Sequence, residues 1–184
     1  MRLAPPAAAV AALLAVAAPA AADQNDPRLD ALFARLKTAP SFEATRPIEH
    51  RIWEIWGESD DEQSDFLMKQ GQVLMQGQAF REAITDYSLL IAHAPDFAEA
   101  WNKRATLNYI IGDLNASLLD IEKTLELEPR HFGALSGMGL VLMRLDREAD
   151  ALKSFEAALA IHPYLPAAKA HVEMLRDKVL GEPL

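Results

Sequence analysis

Apolar residues recur at helical spacing in one segment of the chain after another. Leu29, Leu32, Phe33 and Leu36 form one such set, and Ile48, Ile52, Ile55 and Trp56 a second. Further along come Ala83, Ile84, Tyr87, Leu90 and Ile91, then Leu118, Ile121 and Leu125, then Ala151, Leu152, Phe155, Ala158 and Leu159. Offsets of one, four, seven and eight residues place each set on one face of an α-helix. Pro95, Pro129 and Pro163 stop three of these segments, since proline lacks an N–H and crowds the turn before it. Gly77 and Gly112 fall where the chain must reverse between paired helices. After Pro95, Asp96 and Glu99 have the spacing of a capping box and predict the next helix start.

The stops count out a period. The three prolines are 34 residues apart, and residues 64–97, 98–131 and 132–165 align in columns. The fourth column holds Leu67, Trp101 and Leu135, and the eighth Gly71, Ala105 and Gly139. The twentieth holds Ala83, Ser117 and Ala151, and the twenty-fourth Tyr87, Ile121 and Phe155. Small residues recurring in register let two helices approach to an interaxial distance of roughly 8–10 Å. One unit is therefore a helix, a turn, a second helix and a turn. A single hairpin cannot bury both faces, so the units must stack, and a constant rotation between them curves the stack around an inner surface.

These columns resemble the tetratricopeptide repeat (TPR), whose pattern is Trp-x-x-Leu-Gly-x-x-Tyr, then Ala-x-x-x-Phe, then Pro. The resemblance covers residues 64–165 and implies an all-α fold: an α-solenoid of stacked helix hairpins winding as a right-handed superhelix. Gln70, Arg104 and Met138 replace the pattern's leucine, and Asn108 replaces the first tyrosine of unit two, the weakest match. Residues 166–180 continue the register as a capping helix with Lys169, Glu173, Arg176, Asp177 and Lys178 toward water, and Gly181 ends it before a tail to residue 184. Residues 23–63 read as a degenerate helix pair stacked on the first unit, followed by the acidic linker ESDDEQSD. Trp53 and Trp56 in that pair are expected to cover the open end of the stack rather than to form a partner site.

The resemblance also implies a binding surface, lined by the first helix of each unit. Carried over by column, it takes Met68, Gln72 and Met75 from unit one and Asn102, Lys103, Thr106 and Tyr109 from unit two. Unit three supplies Ser136, Leu140, Met143 and Arg144, and the capping helix Met174 and His171. The basic and asparagine set with which chaperone-binding TPR domains hold a terminal carboxylate is missing: Met68, Gln72, Gly133 and Gly137 stand in its places. The surface reads instead as apolar and rich in methionine, suited to an extended or helical segment with apolar anchors. Gly133 and Gly137, four residues apart, leave room for a partner backbone. The alternative reading is that the methionines pack between helices, or that the N-terminal pair fills the groove itself.

Composition adds location and exclusions. MRLAPPAAAVAALLAVAAPAAA at residues 1–22 has a thin positive end, an apolar run from Ala7 to Ala18 and small residues before Asp23. That is the build of a secretory signal peptide cleaved after Ala22, and the run is shorter than the about 20 residues a membrane span needs. The expectation is a periplasmic protein with no stable membrane insertion. The net charge is −9; removing Arg2 from 18 basic residues, with all 27 acidic residues kept, makes it −10. An acidic balance argues against nucleic acid as partner. The absence of cysteine excludes disulfides and thiolate metal sites. None of His50, His93, His131, His162 and His171 has metal-ligand spacing, and His131 and His162 flank repeat prolines in turns. No phosphate loop or nucleophile elbow occurs, so no cofactor and no enzyme is expected. Function reads as a non-catalytic interaction module for a protein or peptide, or alternatively as a self-associating structural factor.

Overall fold

A computed structural model describes residues 23–181; the expected signal peptide lies outside them. After a short 3₁₀ turn at Asp23–Asn25 come nine α-helices, and no strand is present among the described residues. They are α1 (Arg28–Lys37), α2 (Phe42–Gly57), α3 (Glu62–Gln76), α4 (Phe80–His93) and α5 (Ala98–Ile111). The remainder are α6 (Leu114–Leu127), α7 (Phe132–Arg144), α8 (Glu148–Ile161) and α9 (Pro166–Leu180). The fold is an all-α solenoid in which α3–α4, α5–α6 and α7–α8 are hairpins, with α9 packed on α8.

The small columns act as the steric argument requires. A Cβ added to Gly71 would lie 2.7 Å from the Tyr87 ring, and one added to Gly139 would lie 2.6 Å from Phe155. In the middle hairpin Ser117 takes the small position, and its hydroxyl donates to the Ala105 carbonyl at 2.8 Å. Unit two departs from the apolar pattern in a compensated way. Arg104 makes a two-point contact with buried Asp120 at 2.9 and 2.7 Å, and Asn108 donates to the same carboxylate at 3.0 Å. Arg104 also reaches Ser88 on α4 at 3.0 Å and lies 5.0 Å over Trp101, so it ties α4, α5 and α6 together.

Three local expectations are corrected. The acidic run is partly helix: Asp61 caps α3 by accepting from the Ser64 N–H at 2.7 Å. The capping box does not form, because buried Phe97 occupies the cap position and the Glu99 carboxylate turns inward. The reversal in each hairpin uses a left-handed residue at a constant column: Gln78 (φ 60°), Gly112 (φ 87°) and Asp146 (φ 56°). Gly77, one position early, is not that residue. A non-glycine side chain in this region costs roughly 1–2 kcal/mol. Gln78→Gly should therefore raise the stability by about 1 kcal/mol, read as a higher denaturation midpoint at unchanged slope.

The largest correction concerns the N-terminal pair. It does not stack on unit one. Instead α2 lies against α5 and α1 against α8, along the edge where the inter-hairpin turns emerge. Leu29, Leu36, Ile48, Ile52, Ile55 and Trp56 form a buried cluster with Phe132, against which Ile161 and Leu165 pack. Polar contacts repeat at three successive turns. Gln24 donates to the Asp96 carbonyl at 2.6 Å, Arg130 pairs with Asp30 at 2.6 Å, and His162 meets Glu49 at 3.3 Å. The register explains the choice. In α4 and α6, Ile84, Ile91, Leu118 and Leu125 join clusters shared with the next hairpin. Counting back 34 residues from Ile84, Ser88 and Ile91 gives His50, Glu54 and Gly57. That face of α2 is a solvated His50–Glu54 pair at 3.1 Å, so it has nothing to stack with, and the apolar face goes elsewhere.

Candidate functional site

The inner face is built from α3, α5 and α7, with the N-terminal pair closing one side of it. Its best-formed feature is a cleft of about 90 Å³ between α5, α6 and α7. Asn102, Thr106 and Tyr109 line one wall and Gly133, Gly137 and Leu140 the other, with Ala105, Ser117, Ile121 and Val141 at the floor. The floor is apolar apart from Ser117, and the wall carries the Asn102 amide, which donates to Glu99, the Thr106 hydroxyl, which donates to the Asn102 carbonyl, and the Tyr109 phenol. Beside this cleft Gln72, Met75, Gln76 and Lys103 border a wider depression of about 420 Å³. A third depression, of about 440 Å³, is bordered by Met68, Lys69, Gln72 and the Gly57–Ser59 segment.

The two glycines of α7 have different fates. A Cβ on Gly133 would lie 2.5 Å from Trp53, so the space there is filled by the chain's own indole. A Cβ on Gly137 would meet only Ile121, at an ordinary 3.7 Å, and its space opens into the cleft. The room for a visiting group is therefore at Gly137. Trp53 and Trp56 do not cover the end of the stack: both sit on the turn before α7. Trp56 stacks on His131 with ring centres 4.1 Å apart, and Trp53 meets Phe132 edge-on at 5.4 Å.

Beneath the tryptophans lies a buried polar knot. The Glu99 carboxylate accepts from Asn102 at 2.8 Å, pairs with Lys103 at 2.8 Å and meets His131 Nε2 at 3.0 Å. His131 Nδ1 accepts the Ala134 N–H at 3.0 Å and so caps α7. With Nδ1 an acceptor, Nε2–H is the donor to Glu99. Burial alone would push the Glu99 carboxyl up, but Lys103 and His131 override it and hold it at about 2. The same ion pair raises the Lys103 ammonium above its ordinary value. The Lys103 Nζ also lies 5.7 Å over the Trp53 ring. His131 and His162 do occupy turns, but both are fully buried and structural.

The remaining inner-face residues divide by burial. Gln72, Thr106, Arg144 and Met174 are exposed, and Ser136 is half-buried. Arg144 holds Tyr109 from behind the cleft lining, donating to the Tyr109 carbonyl at 3.0 Å with its guanidinium 5.0 Å over the Tyr109 ring. Apart from Met174, the methionines are largely drawn into the packing between helices. Met68 is 3 % exposed and belongs to the first hairpin's core, and half-buried Met75 and Met143 pack against neighbouring clusters. Long unbranched side chains bend into such gaps from columns that in unit two hold the cleft residues Asn102 and Tyr109. His171 stacks on Phe155 at 4.7 Å. Sequence reading missed Ser117, Ile121 and Val141, which reach the cleft because Gly137 has no side chain; the glycine itself was the available signal. Among the described residues no group of His, Asp and Glu is arranged to hold a metal ion, and no helix is long and apolar enough to cross a membrane.

No protein-family model matches the chain. A TPR repeat-containing protein of Rhizobium etli is 37% identical over 154 residues, covering 84% of this chain and 76% of that protein. Among solved structures, the first TPR of Spaghetti (RPAP3) bound to an HSP90 peptide aligns with a TM-score of 0.63 at 19% identity, covering 67% of this chain and 97% of that one. MamA aligns at 0.61 with 17% identity over 79% of this chain and 83% of its own, and the TPR2B domain of yeast Sti1 in complex with an Hsp70 peptide at 0.52 with 16% identity, over 66% and 86%.

Proposed function

The chain belongs to the tetratricopeptide repeat family, and from that premise we propose that it is a non-catalytic interaction protein of the bacterial periplasm. It holds a segment of a partner protein along its inner face, with one apolar side chain of that segment seated between α5, α6 and α7. The supporting observation is the open space at Gly137. It faces an apolar floor of Ala105, Ile121 and Val141, beside the Tyr109 phenol and the Thr106 hydroxyl, whose oxygen still has room to accept while its proton is held by the Asn102 carbonyl. A volume of about 90 Å³ suits one aliphatic side chain and little more. The Spaghetti and Sti1 domains, whose structures hold chaperone peptides, support a peptide as the kind of ligand such a face takes. The ligand here is anchored differently, since Gly133 and Gly137 stand where a carboxylate clamp would need cations. Export rests on the character of residues 1–22.

Gly137→Leu tests this directly. The substitution places a side chain in the cleft, meets no backbone, and improves the intrinsic helix preference of α7. Recovery of the partner from an envelope extract should fall at least tenfold while helicity and melting stay at wild-type values. Equal recovery by both proteins would remove the cleft from the binding surface. N-terminal sequencing of the protein from the periplasmic fraction should begin at Asp23; retention in the cytoplasm with Met1 intact would refute export.

A further inference from the structure

The open end of the stack is a second contact surface, and its shape selects its occupant. In units two and three, the third and tenth columns face the preceding hairpin. They hold Ala100, Leu107, Ala134 and Val141, each at most 1 % exposed. The same columns of α3 hold Phe66 and Val73, which are 63 % and 61 % exposed, because the N-terminal pair has gone to the turn edge. Phe66, Lys69, Gln70 and Val73 border a shallow depression of about 340 Å³.

This face is shaped differently from the two that receive a stacked hairpin. Alanine occupies the third column in α5 and α7, where the neighbouring helix comes close; phenylalanine in α3 holds any such helix away. What fits a large group beside a smaller one, seven residues apart on one face, is the same face turned end for end. We infer that α3 is the contact between two copies of this chain, paired antiparallel about a two-fold axis near Lys69 and Gln70. Phe66 of each copy then lies against Val73 of the other, the Gln70 amides meet near the axis, and the interface is closed.

Charge fixes the same orientation. The carboxylates Glu62 and Asp65 crowd the start of α3, while Lys69, the charged group of the central face, lies beside its symmetry mate on a long exposed stem that can turn both ammoniums out to water. Antiparallel pairing sets the two acidic ends at opposite extremes, whereas parallel pairing would bring them together. For a chain of net charge −9, it is also a place where two copies can approach without facing carboxylates across the centre. The inference does not rest on the cleft at Gly137, which lies on another face of the stack.

One helix per copy is a small interface, so the dimer is reversible, with a dissociation constant on the order of 10–100 µM. Sedimentation of the purified protein should show the mass rising toward twice that of the chain across this range, and more readily in higher salt, which screens the acidic copies. Phe66→Glu and Val73→Glu should each keep the protein monomeric throughout with its circular dichroism unchanged. Because the chain lacks cysteine, Gln70→Cys gives a clean test of register: it should form a covalent dimer on mild oxidation, whereas Leu119→Cys, exposed on α6, should not. A wild-type monomer at every concentration overturns the inference. So does a dimer indifferent to Phe66→Glu, or a monomer in which Phe66→Glu abolishes capture of a different protein.

Discussion

Glu99→Gln lowers stability by about 3 kcal/mol at neutral pH, and the loss disappears in acid. The amide keeps the volume of the side chain but cannot hold the charge of Lys103 or accept as strongly from His131 Nε2–H. Breaking a buried pair by removing one partner costs about 3–5 kcal/mol when the other charge is trapped. Lys103 is 26 % exposed and partly rescued by water, which places the expected loss at the lower end. The pH dependence follows from linkage. The carboxyl ionises at about 2 in the fold against an ordinary 4.5, so the folded state binds fewer protons than the unfolded chain between those values. Its contribution is fully present above pH 4.5 and is lost as pH falls through about 2. Urea midpoints of wild type and variant measured from pH 7 downward should be separated at neutrality and converge near pH 2. A constant gap over that range would mean that the carboxylate contributes through shape alone.

Trp56→Ala should cost about 3–5 kcal/mol, the usual range for emptying a fully buried aromatic site. The ring is 2 % exposed, lies flat on His131 and contacts Phe33 at 5.9 Å and Phe132 at 5.2 Å. It joins the N-terminal pair to the turn before α7, so the loss falls first on that attachment. The variant should be cleaved by protease within Glu58–Asp61 while residues 62–181 stay intact, and its thermal unfolding should divide into two steps. A single sharp transition with the segment still protected would show that the remaining contacts of α1 and α2 suffice. Gly133→Ala offers a gentler version, since the added methyl group displaces Trp53 without emptying a site.

How far the chain could be read before its structure depended on whether neighbours in space were neighbours in pattern. The hairpins were legible because each contact repeats at a fixed interval: Gly71 with Tyr87 and Gly139 with Phe155 are the same contact made twice. The all-α solenoid followed from that. The seat of the N-terminal pair was not legible. Its apolar faces were plain, but the surface that receives them is assembled from Phe132, Ile161 and Leu165, which lie near the ends of separate helices and share no column. The stacking expectation failed on residues that were in view, His50, Glu54 and Gly57, whose polarity is decisive only once the register is extended backward. Glu99 suggested a helix cap because a carboxylate near a helix start ordinarily is one; its pairing with His131, 32 residues away, has no local signature. At the inner face, the columns found Asn102, Thr106, Tyr109 and Leu140, which the structure brings together. They also named Met68, which the first hairpin's core claims.

The N-terminal segment touches the stack at Asp96 from the 3₁₀ turn, at Arg130 from α1 and at His162 from α2, one point on each turn between successive units. A stack bonded only between nearest neighbours behaves like a spring: it flexes, and it frays from either end one unit at a time. A rod fastened at three coils removes that freedom. Loss of any unit must detach the rod from the others, so melting becomes a concerted event, and the curvature of the inner wall is set before any visitor arrives.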